Sequence, residues 1–75
     1  MKQKIKQNFY QLGKNITKLR EEYGMSLEDL SLKSGIRKRY LVRIEQGIAY
    51  GMRLSHLEKL TVAFDGNLKG ILKDL

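Results

Sequence analysis

From Lys33 onward the chain carries Lys33, Arg37, Lys38, Arg39 and Arg43 with no acid until Glu45. Set on an α-helix at about 100° per residue, Lys38, Arg39, Val42, Arg43 and Gln46 share one side of the segment Arg37 to Gln46. Tyr40, Leu41, Ile44 and Glu45 fall on the other side, which reads as a core face. The first side is a basic strip about one and a half turns long. Its chemistry suits a polyanion. In the major groove of B-DNA, Arg or Lys donates to O6 and N7 of guanine, and a small apolar side chain such as Val42 lies against a thymine methyl.

The start of this segment breaks a local rule. Arg37 stands where Ser, Thr or Asp normally caps a helix, and Arg37, Lys38 and Arg39 crowd three cations onto the positive end of the helix dipole. Phosphates placed there gain from both the dipole and the guanidinium groups. The expectation is that nucleic acid supplies the missing anions. The alternative is that Asp29 or another surface acid neutralises the cations.

Other groupings carry less chemistry. Glu21 with Glu22 and Glu28 with Asp29 are neighbours on helices, so each pair diverges by about 100° and cannot flank a substrate. With no cysteine and the single His56, neither a thiolate nor an imidazole metal site can be built. Gly13 and Lys14 lack the rest of a phosphate loop, and the Asn15, Ile16, Thr17 sequon lies within a predicted helix. His56 reads as a surface residue, and Met25 and Met52 as gap fillers. No enzyme, metal, cofactor or small-molecule ligand is expected.

Five helical segments must position the strip. Phe9, Leu12, Ile16, Leu19 and Tyr23 recur at steps of three and four and end at Gly24. Gly13 interrupts that stripe, which points to a close-packed helix backbone or to early fraying. Ser26 caps a short second helix with Glu28 and Asp29 in its first turn and Leu30 facing inward. The third covers about Arg37 to Gln46 and closes at Gly47. The fourth runs from about Leu54 to Phe64, with Leu54, Leu57, Leu60, Thr61 and Phe64 on one side. Asn67 caps a fifth carrying Leu68, Ile71, Leu72 and Leu75, a stripe that completes the core or offers an apolar seam to a second subunit. No segment alternates with period two, so the fold class is all-α.

Seventy-five residues with net charge +7 fit one domain. Lys2, Lys4, Lys6, Lys14, Lys18 and Arg20 all precede the first acid, so the excess favours nucleic acid first, an anionic membrane second and an acidic protein third. Neither a signal peptide nor a membrane span is evident, and a cytoplasmic location is expected. Residues 1–11 read as a basic N-terminal arm or a helix extension, and 12–75 as the domain proper.

The segment Leu12 to Leu72 resembles the helix-turn-helix family of phage repressors and Cro proteins, the XRE family. The resemblance lies in the L-R pair before Gly24, M-S-L-E-D-L, S-G-I, and Y-L-V-R-I-E-Q-G, in that order and spacing. It implies a lambda-repressor-like five-helix domain. It also implies that Lys38, Arg39, Val42 and Arg43 face base edges, that Ser26, Tyr40 and Arg53 approach phosphates, and that Arg20 pairs with Glu45. The chain departs from the family at Leu27, where many members carry glutamine, at Arg37, which replaces a small polar residue, and in the loop Ile48 to Arg53, which lacks a proline and is one residue longer than a common form. Leu27 and Leu32 are expected to be exposed.

The expected function is sequence-specific binding of double-stranded DNA by a transcriptional repressor acting as a homodimer on a palindrome. Within the same class, a controller of a restriction-modification system and an antitoxin-like regulator are the alternatives. Rivals of another class are a non-specific basic nucleic-acid or membrane-surface binder and a protein-interaction adaptor.

Overall fold

Ser26 and Asp29 open the second helix reciprocally: the Asp29 amide donates to Ser26 Oγ and the Ser26 amide to Asp29 Oδ2, both at 3.0 Å. Such local signals, with the apolar stripes, define α1 (Lys2–Glu22), α2 (Leu27–Ser34), α3 (Lys38–Gln46), α4 (Leu54–Ala63) and α5 (Leu68–Ile71). The computed structural model describes the backbone of residues 2–75 and the side chains from Asn8 onward. Among the described residues there is no strand, so the fold is all-α. The expectation of a basic arm rests on Lys2, Lys4 and Lys6, whose side chains lie outside the described residues.

Every helix sends at least one side chain into a single core. Ile16 of α1, Leu30 of α2, Leu41 and Ile44 of α3, Leu60 of α4 and Ile71 of α5 are fully buried around Phe64. α1 packs against α3 and α5, while α2 packs against α3 and α4. Gly13 is the contact point between α1 and α3. A Cβ there would lie 2.4 Å from the Ile44 carbonyl oxygen and 2.6 Å from that of Glu45, so only glycine lets the two backbones meet. Of the two explanations for Gly13, close packing is the one found. Gly47 closes α3 at φ +78°, and a Cβ there would approach Tyr10 Cα to 2.8 Å. The first half of α1 therefore abuts the end of α3, and Phe9 meets Tyr50 of the following loop edge-on at 5.4 Å.

Asn15 ties down the C-terminal residues. Its side chain is buried, and its Nδ2 donates to the carbonyls of Ile71 at 2.8 Å and Lys73 at 2.7 Å. Several leucines differ from expectation. Leu54 is 71% exposed, because as the first residue of α4 it precedes the turn whose inward face is set by Leu57 and Leu60. Leu27 packs against the core and only Leu32 is left outside. Ile71 is fully buried, so of the four residues of the C-terminal stripe only Leu68, Leu72 and Leu75 are exposed, the last two beyond the end of α5.

Candidate nucleic-acid interface

The division of faces drawn on the wheel is the one α3 has. Leu41 and Ile44 are buried and Tyr40 and Glu45 half-buried, whereas Lys38, Arg39, Arg43 and Gln46 are exposed and Val42 sits half-buried among them. Three cations are thus held outward by a helix whose opposite side is fixed in the core. α2 and the turn Gly35 to Arg37 precede it. Gly35 takes φ +76°, and Ile36 anchors the turn in the core at 4% exposure, its amide bonded to Ser34 Oγ and its carbonyl to Ser31 Oγ. The connection between the two helices is therefore a rigid piece.

Arg20 fixes the angle of α3 from the other side. Its Nε donates to Glu45 Oε2 at 2.7 Å and its Nη2 to Oε1 at 3.2 Å, while Nη1 reaches the Met25 carbonyl at 3.0 Å. One guanidinium thereby joins α1, the α1–α2 turn and α3 by a forked pair whose side chains are only 17% and 11% exposed. The Glu45 hydrogen bond outweighs the cost of burial and holds Arg20 protonated still more firmly than usual.

The other expected residues divide into two groups. Arg37 and Tyr40 come together with Gly35, Ile36, His56 and Lys59 around a depression of about 280 Å³ beside the start of α3. Tyr40 stacks at a tilt on His56, ring centres 4.8 Å apart, and His56 Nδ1 accepts from the Arg53 amide at 3.0 Å. His56, three residues after the N-cap Arg53, therefore satisfies the Arg53 amide at the start of α4 and supports Tyr40, a role that nothing in its neighbourhood in sequence announces. Ser26 and Arg53 are exposed and neither lines that depression, although the Arg53 amide is bonded to His56 at its edge. No side-chain hydrogen bond caps α3 at Arg37.

The basic strip also has an acidic partner, whose identity the sequence left open. Glu28, in the first turn of α2, forms an ion pair with Lys38, the first residue of α3. This is a surface acid neutralising one of the three crowded cations, and it is Glu28 and not Asp29, whose carboxylate is taken by the Ser26 amide. The signal available beforehand was opposite charge in the opening turns of two helices joined by a tight connection. Elsewhere, Leu54, Leu57, Thr61, Val62, Leu68 and Glu58 line an apolar groove of about 400 Å³ between α4 and α5.

A family model described as helix-turn-helix matches residues 16–71, which include α2, the turn, α3 and the Arg20–Glu45 pair. The chain belongs to the helix-turn-helix family. The HTH-type transcriptional regulator SinR of Bacillus licheniformis and that of Bacillus subtilis (strain 168) are each 32% identical to it over 63 residues. The match covers 84% of this chain and 57% of each relative, so the chain spans little more than half the length of these curated relatives. No solved structure matches it. Gly13 and Asn15, which seat this helix-turn-helix unit on α1 and on the C-terminal residues, lie just outside the matched segment. Among the described residues no helix is long and apolar enough to cross a membrane, and no group of acids and histidines is placed to hold a metal.

Proposed function

We propose that this protein is a DNA-binding transcriptional regulator, not an enzyme, and that it reads double-stranded DNA in a sequence-specific way. The observation that carries this reading is the strip Lys38, Arg39 and Arg43, exposed on a helix whose other face is locked by Gly13, Leu41, Ile44 and the Arg20–Glu45 pair. A helix so presented fits the major groove. Lys38, Arg39 and Arg43 address base edges with Val42 beside them, while Ser26, Arg37, Tyr40 and Arg53 address phosphates and set the register.

One recognition helix reads only a few base pairs, so useful affinity calls for two copies on a palindrome with half-sites about 34 Å apart or a multiple of that spacing. Exposed Leu54, Val62 and Leu68 around the α4–α5 groove, with Leu72 and Leu75 nearby, are the apolar surface on which a homodimer would close. A dimer seated over a promoter excludes other proteins from that groove, which makes repression the expected outcome.

Selection from a randomised duplex library, read by sequencing, tests this. Paired half-sites at that spacing are expected, and Arg43→Ala should lose about 10- to 100-fold in affinity for the selected site while random duplex binding changes little. Arg37→Ser should reduce the salt slope of binding by about one. Absence of enrichment, or equal weakening on every duplex by Arg43→Ala, would overturn the reading in favour of a charge-driven binder.

A further inference from the structure

We infer that Glu28 is a specificity-determining residue of this interface: it holds the Lys38 amine in one place and keeps it from serving any passing phosphate. The inference rests on the DNA-binding reading above. The pair bridges the motif itself, joining the first turn of α2 to the first residue of α3 across the Gly35 turn. Its neighbour Asp29 is occupied by the Ser26 amide, so the two adjacent acids of α2 do separate work, one closing the helix and the other facing α3. The Lys38 hydrogen bond holds the Glu28 carboxyl below its ordinary value, so it stays charged at neutral pH.

Magnitude argues against a purely structural role. The two side chains are 51% and 64% exposed, and ion pairs this open add little to folding. The Arg20–Glu45 pair, far more enclosed, already sets the angle of α3. What the open pair does change is the behaviour of the lysine. A free lysine is a flexible point charge that any phosphate satisfies. An ammonium has three donors; with one given to Glu28, two remain, matching the O6 and N7 acceptors of a guanine.

The test compares Glu28→Ala and Glu28→Gln with the unaltered protein on its selected duplex and on random duplex, across a salt series, with thermal unfolding as a check on folding. Glu28→Ala should bind random duplex more tightly, steepen the salt slope by about one and lower discrimination about tenfold. Glu28→Gln should steepen the slope equally but keep more of the discrimination, because its amide oxygen still accepts from Lys38. In a Lys38→Met background neither change should alter discrimination further. Equal discrimination by Glu28→Ala and the unaltered protein, or the same loss with Lys38→Met present, would overturn the inference while leaving DNA binding intact. A chain that selects no duplex at all would instead remove the reading beneath it.

Discussion

Replacing Gly13 with alanine sets two effects of opposite sign against each other at one residue. Within a helix the change normally gains about 1 kcal/mol, since alanine restricts the unfolded chain and exposes less backbone. Here the added methyl meets the Ile44 oxygen at 2.4 Å and the Glu45 oxygen at 2.6 Å, and both are main-chain atoms that no rotamer change can move aside. Ordinary contact requires α3 to retreat by about 1 Å, a gap that forfeits roughly a quarter to a half of each dispersion contact along the seam. Overpacking of this kind costs about 3 kcal/mol at the upper end, leaving a net loss of about 2 kcal/mol. For a domain of this size that lowers Tm by about 8–16 °C. Urea unfolding should show a lower midpoint at unchanged slope. Because Glu45 moves with α3, the Arg20 fork is pulled open as well, and affinity for a selected duplex should fall. A midpoint equal to or higher than that of the unaltered protein would refute the reasoning, because the propensity gain would then have met no clash.

Other outcomes follow from the same geometry. Arg20→Ala leaves the Glu45 carboxylate half-buried without its fork and should cost about 3 kcal/mol, read from urea unfolding. Asn15→Asp replaces the amide that donates to Ile71 and Lys73 with a carboxylate facing two carbonyl oxygens; stability should fall by about 3 kcal/mol and recover on acidification, when a neutral carboxyl can again donate. Ile71→Ala should destabilise by about 2–5 kcal/mol, whereas Leu72→Lys should leave unfolding nearly unchanged and shift sedimentation towards a monomer.

Much of this was legible in the chain, and the parts that were not share a cause. The faces of α3, the capping of α2 by Ser26 and the closure at Gly47 are set by residues within a few positions of one another, so periodicity and cap chemistry reveal them. Ile71 and Leu72 are also neighbours, yet one lies in the core and the other outside, because α5 is too short for its stripe to settle its orientation. Asn15 settles it from 56 residues away. In the sequence His56 is a plain surface residue, because its bond to the Arg53 amide depends on that amide turning towards it, a property of the backbone path and not of the sequence pattern. Which surface acid meets Lys38 stays open in the sequence for a related reason: the charges are visible, but their meeting depends on the angle between two helices.

That angle is where local stability and binding pull apart. α3 begins with three cations on the wrong end of its dipole and without a side-chain cap, so little in its own first turn favours the helix. It persists because tertiary contacts over-determine it: Gly13 admits its backbone against α1, Leu41 and Ile44 fill the core, Arg20 grips Glu45, and Gly47 closes its end against Tyr10. Each of these contacts acts on the inner face and leaves the outer one free to carry charge that folding alone would reject. A sequence that breaks helix rules at one exposed turn while satisfying them around it marks the place where a ligand is meant to complete the electrostatics. At the start of α3, Glu28 does so in part for Lys38, and on the proposed DNA-binding reading nucleic acid does so for Arg37 and Arg39.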